Sequence, residues 1–166
     1  MGGRAAFSPH LAAIAVAIVM TLAIATAEAR RVNLCSHTAY PSLCGPLVRR
    51  LISPRRATHR LIRALEARTK TSLAEASRYK SGNQAIATCY ATFVDALINL
   101  RNARKSIRKR NVKALNTFLT AAVSDYGACV DAFIESRQIN NVQNAADTLR
   151  KMGSNCLSLS TLIRRR

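Results

Sequence analysis

The chain has no tryptophan, only four prolines and six glycines in 166 residues, and eight acidic side chains against 26 basic ones. Each shortage excludes something. No proline occurs beyond Pro54, and from there to the C-terminus the only glycines are Gly82, Gly127 and Gly153. Long helices can therefore run almost unbroken through that part. There is no Gly-rich phosphate loop, no low-complexity linker, no repeat of fixed period and no Asn-x-Ser/Thr sequon. A second domain is not indicated. His37 and His59 have no third ligand at helical spacing, so no metal site is expected, and nothing calls for a cofactor. The acids Glu66, Glu75, Asp95, Asp125, Asp131, Glu135 and Asp147 are scattered and read as solvated surface charge. No serine or cysteine has a local base partner. The enzyme reading therefore has almost no support, and a binding protein explains these absences better.

What is present begins with a targeting pattern. Arg4 supplies a weak positive start, Leu11 to Ala25 is a nearly continuous apolar run, and small residues follow at Ala25, Ala27 and Ala29. Residues 1–29 read as a secretory signal cleaved after Ala27 or Ala29. The apolar run is short of the roughly twenty residues that span a bilayer. The expectation is a soluble, exported domain over residues 30–166, with no membrane contact after cleavage.

Four helices follow from periodicity. The clearest carries Ile86, Tyr90, Phe93, Leu97, Leu100 and Ile107 three and four apart, with Arg104 in the one polar slot. The next repeats the stripe with Leu115, Leu119, Ala122, Tyr126, Cys129 and Phe133, and the last with Val142, Ala145, Leu149, Met152, Cys156, Leu159 and Ile163. The first long helix is weaker and alanine-rich, with Ile62, Leu65, Leu73, Ala76 and Tyr79 on one side. Such stripes are bundle seams. Turns fall at Ser81-Gly82-Asn83, Arg110-Asn111 and Asn140-Asn141, and short connections make neighbours antiparallel. The expected fold is all-α, an up-down-up-down four-helix bundle preceded by a proline-containing arm.

Five cysteines fall at Cys35, Cys44, Cys89, Cys129 and Cys156. Disulfides persist in oxidising compartments. The parsimonious pairing is Cys35–Cys44 and Cys89–Cys129 with Cys156 free, although five cysteines admit other pairings. Cys89 and Cys129 lie about equally far on either side of the turn near residue 110, which makes them level in an antiparallel hairpin and bridgeable. Cys156 falls on the inward stripe of the last helix and reads as a buried thiol.

Several segments then carry a family likeness. Cys35-x-x-Thr38-x-Tyr40-Pro41-x-x-Cys44 resembles the opening motif of the plant invertase and pectin methylesterase inhibitor family. Ala85-Ile86-x-x-Cys89-x-x-x-Phe93-x-Asp95-Ala96-x-x-x-Leu100 resembles that family's second-helix pattern. Thr117-Phe118-Leu119-Thr120-Ala121-Ala122-Val123 with Cys129-Val130-Asp131-Ala132-Phe133 resembles its third, and Ser154-Asn155-Cys156-Leu157-Ser158-Leu159 its C-terminal pattern. The likeness covers Cys35 to about Leu162. It implies a four-helix bundle with a short N-terminal helical hairpin, the two bridges above and a free fifth cysteine. It also implies a 1:1 protein partner, a plant cell-wall or vacuolar carbohydrate-active enzyme, and secretion into the apoplast. Thr88 stands where members often carry an acid, and Phe118 where they often carry tryptophan.

Invertase inhibitors often have a Pro-Lys-Phe element at the start of the third helix. Here the stretch reads Asn111-Val112-Lys113-Ala114-Leu115, which favours pectin methylesterase as the target and leaves invertase as the alternative. Heptad phase and family analogy place the contact at Thr88, Thr92, Asn99, Asn116, Thr120 and Ser124. The formal net charge is +18, and Arg101, Arg104, Lys105, Arg108, Lys109 and Arg110 crowd the end of the second helix. Part of that cluster suits the helix dipole; the functional reading is a patch that meets acidic pectin. A cationic wall-binding defence protein is a further alternative. The lack of exposed stacking aromatics argues against nucleic acid.

Overall fold

The computed structural model describes residues 33–137 and 140–163, and the segment read as a secretion signal lies outside them. A 3-10 turn, Leu34–His37, leads into helix α1, Pro41–Val48. Four long helices follow: α2 Pro54–Tyr79, α3 Gln84–Arg108, α4 Val112–Glu135 and α5 Asn141–Thr161. Helices α2 and α4 each pack against α3 and α5, giving an antiparallel square with α1 laid against α2 and α5.

The helix starts have a common chemical cause. Asn83, Asn111 and Asn140 are the N-caps of α3, α4 and α5, and their side chains accept from the backbone N–H of Ile86, Ala114 and Val142 at 3.1, 3.0 and 2.9 Å. An asparagine oxygen at that position satisfies one of the donors a helix start leaves orphaned. Helix α2 instead begins on Pro54, whose missing N–H costs nothing there. The α3 terminus closes with the N–H of Arg110 on Ile107 O and that of Asn111 on Ser106 O, at 3.3 and 3.0 Å. This is a Schellman turn, with Arg110 held at φ 59°. Asn111 thus ends one helix and caps the next, which is why three linking residues suffice.

The core follows the stripes of α3 to α5 closely. All six stripe residues of α4 are fully buried. In α5 the inward alanine is Ala146, and Ala145, expected on the stripe, is half-buried. In α3, Tyr90 is half-buried with the Lys80 ammonium 4.0 Å above its ring.

Helix α2 departs from expectation. Thr58, Ile62, Leu65, Thr69, Ser72 and Ala76 are buried at an unbroken alternation of four and three, with Ala57, Leu61 and Glu66 buried beside them. Leu73 is only half-buried and Tyr79 is 58% exposed. The expected Ile62, Leu65 and Ala76 are on the stripe, while Leu73 and Tyr79 are not, because Thr58, Thr69 and Ser72 share the seam. Both threonine hydroxyls are bonded: Thr58 Oγ1 donates to Pro54 O at 2.9 Å, and Thr69 Oγ1 donates to Leu65 O at 2.8 Å and lies 2.6 Å from the buried Tyr126 hydroxyl. With the Thr69 proton committed to Leu65, Tyr126 is the donor in that pair.

Glu66 also departs from the surface role expected of it. It is 7% exposed, and its Oε2 accepts from Arg104 Nη1 at 2.7 Å while Lys70 approaches Oε1 at 3.5 Å. The polar slot on the α3 stripe is therefore half of an ion pair joining α3 to α2.

Beside the buried Leu34, Cys35, Cys44 and Val48, one polar side chain docks the arm. Asn155, fully buried on α5, accepts from Tyr40 N–H at 3.0 Å and donates to Tyr40 O at 2.7 Å. It pairs with that backbone as a neighbouring strand would. The sulfurs of Cys35 and Cys44 are 2.04 Å apart and those of Cys89 and Cys129 2.01 Å, the latter bridging α3 and α4 with Cα atoms 4.5 Å apart. Cys156 is free and buried, and burial pushes its thiol up to about 12.

Candidate functional site

Two surfaces stand out: the seam between α3 and α4, and the end of the bundle where α3 stops. At the seam, three of the six positions expected to meet a partner lie along α3. Thr88 and Thr92 are half-buried, with hydroxyls donating to Gln84 O and Cys89 O of their own helix at 3.1 and 3.2 Å. Asn99 Nδ2 crosses to α4 and donates to Asp125 Oδ2 at 2.9 Å. Burial pushes the Asp125 carboxyl above its ordinary range, and neighbouring Asp95 pushes the same way against the Asn99 hydrogen bond. On α4, Thr120 and Ser124 are exposed. Asn116 is turned the other way, toward α5, where its Oδ1 shares the Ser160 hydroxyl at 2.6 Å with Leu157 O. The six positions are thus brought to three places: a seam of Thr88, Thr92 and Asn99, an outer strip of Thr120 and Ser124, and an internal bond at Asn116. Asp95 and Asp125 belong to the seam but escaped the sequence reading; their spacing across two helices is visible only once α3 and α4 are in register.

At the other surface, Arg101, Lys105, Arg108, Lys109 and Arg110 are exposed. Arg104 is set apart from them by its ion pair with Glu66 and is half-buried. Its Nε is buried with no partner among the described residues. The antiparallel square adds cations from other helices. Arg55, in the first turn of α2, donates from Nε to Ile107 O and from Nη2 to Arg108 O, both at 3.1 Å, covering two carbonyls at the α3 terminus. Ser53, Pro54, Arg55, Arg110 and Lys113 line a groove of ≈ 680 Å³ with an apolar floor that includes Ile107, Leu115 and Leu162. A smaller depression of ≈ 260 Å³ shares Arg55 and Ile107 and adds Arg56, His59 and Arg108. Burial holds His59 below its ordinary value, reinforced by Arg104, Arg108, Arg63 and Arg55. Arg55 and Lys113 were not picked out from the sequence. The signal was available, since up-down topology sets the starts of α2 and α4 beside the end of α3.

Neither surface assembles reactive groups. His37 is exposed on the 3-10 turn. No group of three or more His, Cys, Asp or Glu that could hold a metal occurs among the described residues. What the molecule offers is a polar seam with two carboxylates, and a cationic groove.

A family model described as "Plant invertase/pectin methylesterase inhibitor" matches residues 32–159. Pectinesterase inhibitor 6 of Arabidopsis thaliana is 30% identical over 113 residues, covering 61% of this chain and 52% of that protein. The chain therefore spans about half the length of that curated relative. Among solved structures, a mutant form of a pectin methylesterase inhibitor from Arabidopsis superposes with a TM-score of 0.70 at 20% identity, over 80% of this chain and 95% of that one. A second pectin methylesterase inhibitor structure, from Arabidopsis thaliana, gives 0.65 at 20% identity, over 83% and 98%. The family match, running from the arm through α5, shows that the chain belongs to the plant invertase/pectin methylesterase inhibitor family.

Proposed function

We propose that the protein is a non-catalytic inhibitor that occludes the active-site cleft of a pectin methylesterase in a reversible 1:1 complex. The observation that carries this reading is its similarity to a pectinesterase inhibitor along the matched chain. The structure is compatible with it, because the α3–α4 seam is rigid, bridged by Cys89–Cys129 and tied by Asn99–Asp125. A preorganised face loses little freedom on binding. The same reading includes export after removal of residues 1–29, an apoplastic setting, and contact of the basic end with acidic pectin.

The test is titration of the purified protein against a pectin methylesterase and an acid invertase side by side. Esterase activity should fall to a plateau at one equivalent and recover on dilution, with invertase unaffected. Inhibition of invertase alone would transfer the target to the other enzyme named by the family. Interface energy concentrates in a few central residues, so Thr92→Arg or Thr120→Arg should abolish inhibition with the helical signal and Tm unchanged. Inhibition surviving every such change along the seam and outer strip would move the binding face elsewhere.

A further inference from the structure

We propose that the groove at the basic end is a binding site for a linear chain of sugar acids, engaging several of its carboxylates at once. This rests on the reading of that end as pectin-facing and not on which enzyme is the target. It assigns the contact to a built site rather than to net charge.

Three observations carry it. The first is shape. The groove of ≈ 680 Å³ falls in the range of ligand pockets, roughly 300–1,000 Å³. It adjoins the smaller depression through the shared Arg55 and Ile107, so the two form one track across the bundle end.

The second is the order of charge along that track. Lys113 and Arg110 line the larger groove, Arg55 stands at the junction, and Arg56 and Arg108 line the smaller depression. Among the described residues, no acidic side chain lines either part. Cations repeated along a track match a ligand with repeated anions better than a single anion. Burial first, and then the charges of Arg104, Arg108, Arg63 and Arg55, hold His59 beside the track below its ordinary value.

The third is the floor. Between the cations lie Pro54, Ile107, Val112, Leu115, Leu162 and Ile163. Sugar rings present C–H faces to such a surface and direct carboxylates to a cationic rim. Among the described residues, no aromatic side chain lines the track, so they offer none of the stacking platforms on which single-stranded nucleic acid is held.

The experiment compares two double variants that remove equal charge from opposite ends. Arg110→Gly with Lys113→Gln strips the groove, and glycine suits the positive φ of Arg110. Arg137→Gly with Arg78→Gln is the control, since Arg137 also has positive φ, at 52°, and both residues lie at the other end of the helices. Binding of an unesterified oligogalacturonate is measured by calorimetry at about 0.15 M salt, where the screening length is about 8 Å. The groove variant should bind about tenfold more weakly, the loss expected of two partly screened charge contacts, and the control within about twofold of the parent. The methyl-esterified oligomer should not bind.

Equal weakening in both variants would overturn the groove in favour of long-range net charge. No weakening in either, with the parent binding, would place the contact elsewhere while leaving a pectin-facing protein. Failure of the parent to bind would remove the pectin reading itself. Competition by a single-stranded oligonucleotide of equal charge, with the same sensitivity to the groove variant, would overturn the assignment to sugar acids.

Discussion

Glu66 and Arg104 illustrate how much one pair can hold. Burial alone would push the Glu66 carboxyl up, but the Arg104 hydrogen bond and charge, with Lys70, outweigh it and hold it below the ordinary range. A folded value below the unfolded one means stability that is present above the unfolded pKa and lost as pH falls through the folded value. Arg104→Met leaves the carboxylate buried with only the more distant Lys70. At pH 7 the expected cost is about 2–3 kcal/mol, less than the full penalty of a deeply buried pair because the Arg104 side chain is 28% exposed. Urea unfolding at pH 7 and pH 4 should show that deficit shrinking in acid, where the orphaned carboxyl can protonate. A pH-independent deficit would mean that packing, not charge, is what Arg104 contributes. Asn155 is the other residue with long reach. Asn155→Leu leaves the N–H and C=O of Tyr40 without their partner, and the expected loss is about 2–3 kcal/mol. Faster proteolysis in the arm, with α2 to α5 still helical, would locate that loss. Neither role could be read from sequence. Glu66 resembles any exposed acid, and Asn155 any helical polar residue, until a partner 38 or 115 positions away comes within reach.

At the scale of the element, backbone conformation and close approach decide outcomes that residue type alone does not. Arg110 occupies a left-handed position that costs a non-glycine residue roughly 1–2 kcal/mol. Arg110→Gly should therefore raise stability by up to about 1 kcal/mol. Two helical glycines should respond in opposite senses to alanine. A Cβ on Gly127 meets nothing within 4 Å, so Gly127→Ala should stabilise by about 0.5–1 kcal/mol through helix propensity. A Cβ on Gly153 would lie 2.6 Å from Val123 Cγ2, a stiff β-branched side chain on α4. Gly153→Ala should lower Tm even though it improves propensity. If both variants raise Tm, Val123 yields to the new methyl and the contact of α4 with α5 is softer than that 2.6 Å approach implies. The α2 stripe belongs to this scale as well. Apolar periodicity finds Ile62, Leu65 and Ala76 but not the Thr58, Thr69 and Ser72 that share their seam.

For the whole molecule, the two bridges differ in the length of chain they close. Cys35–Cys44 spans 9 positions and Cys89–Cys129 spans 40, worth about 2.7 and 3.9 kcal/mol in the chain-entropy model. Replacing Cys89 and Cys129 by alanine should lower stability more than replacing the N-terminal pair. It should also loosen the α3–α4 seam, so inhibition should fall in that variant first. Cys156, buried with its thiol pushed up to about 12, should resist alkylation until the protein is denatured. Labelling in the native state would mean that α5 opens readily.

Sequence alone determined the class, the number and order of the long helices, the cysteines level across the α3–α4 turn and the excess of positive charge. Each of these depends on local periodicity, on breakers, or on distances along the chain. Tertiary structure decided what those residues do. It put Thr58, Thr69 and Ser72 on the α2 seam, gave Arg104 in its polar slot Glu66 as a partner, drew Asn116 toward α5 and brought Arg55 and Lys113 beside Arg110. The physical reason is common to all four: a polar or charged side chain carries no signature of its partner. That partner lies on another helix, and only the packing of the bundle brings the two within hydrogen-bonding or Coulombic range.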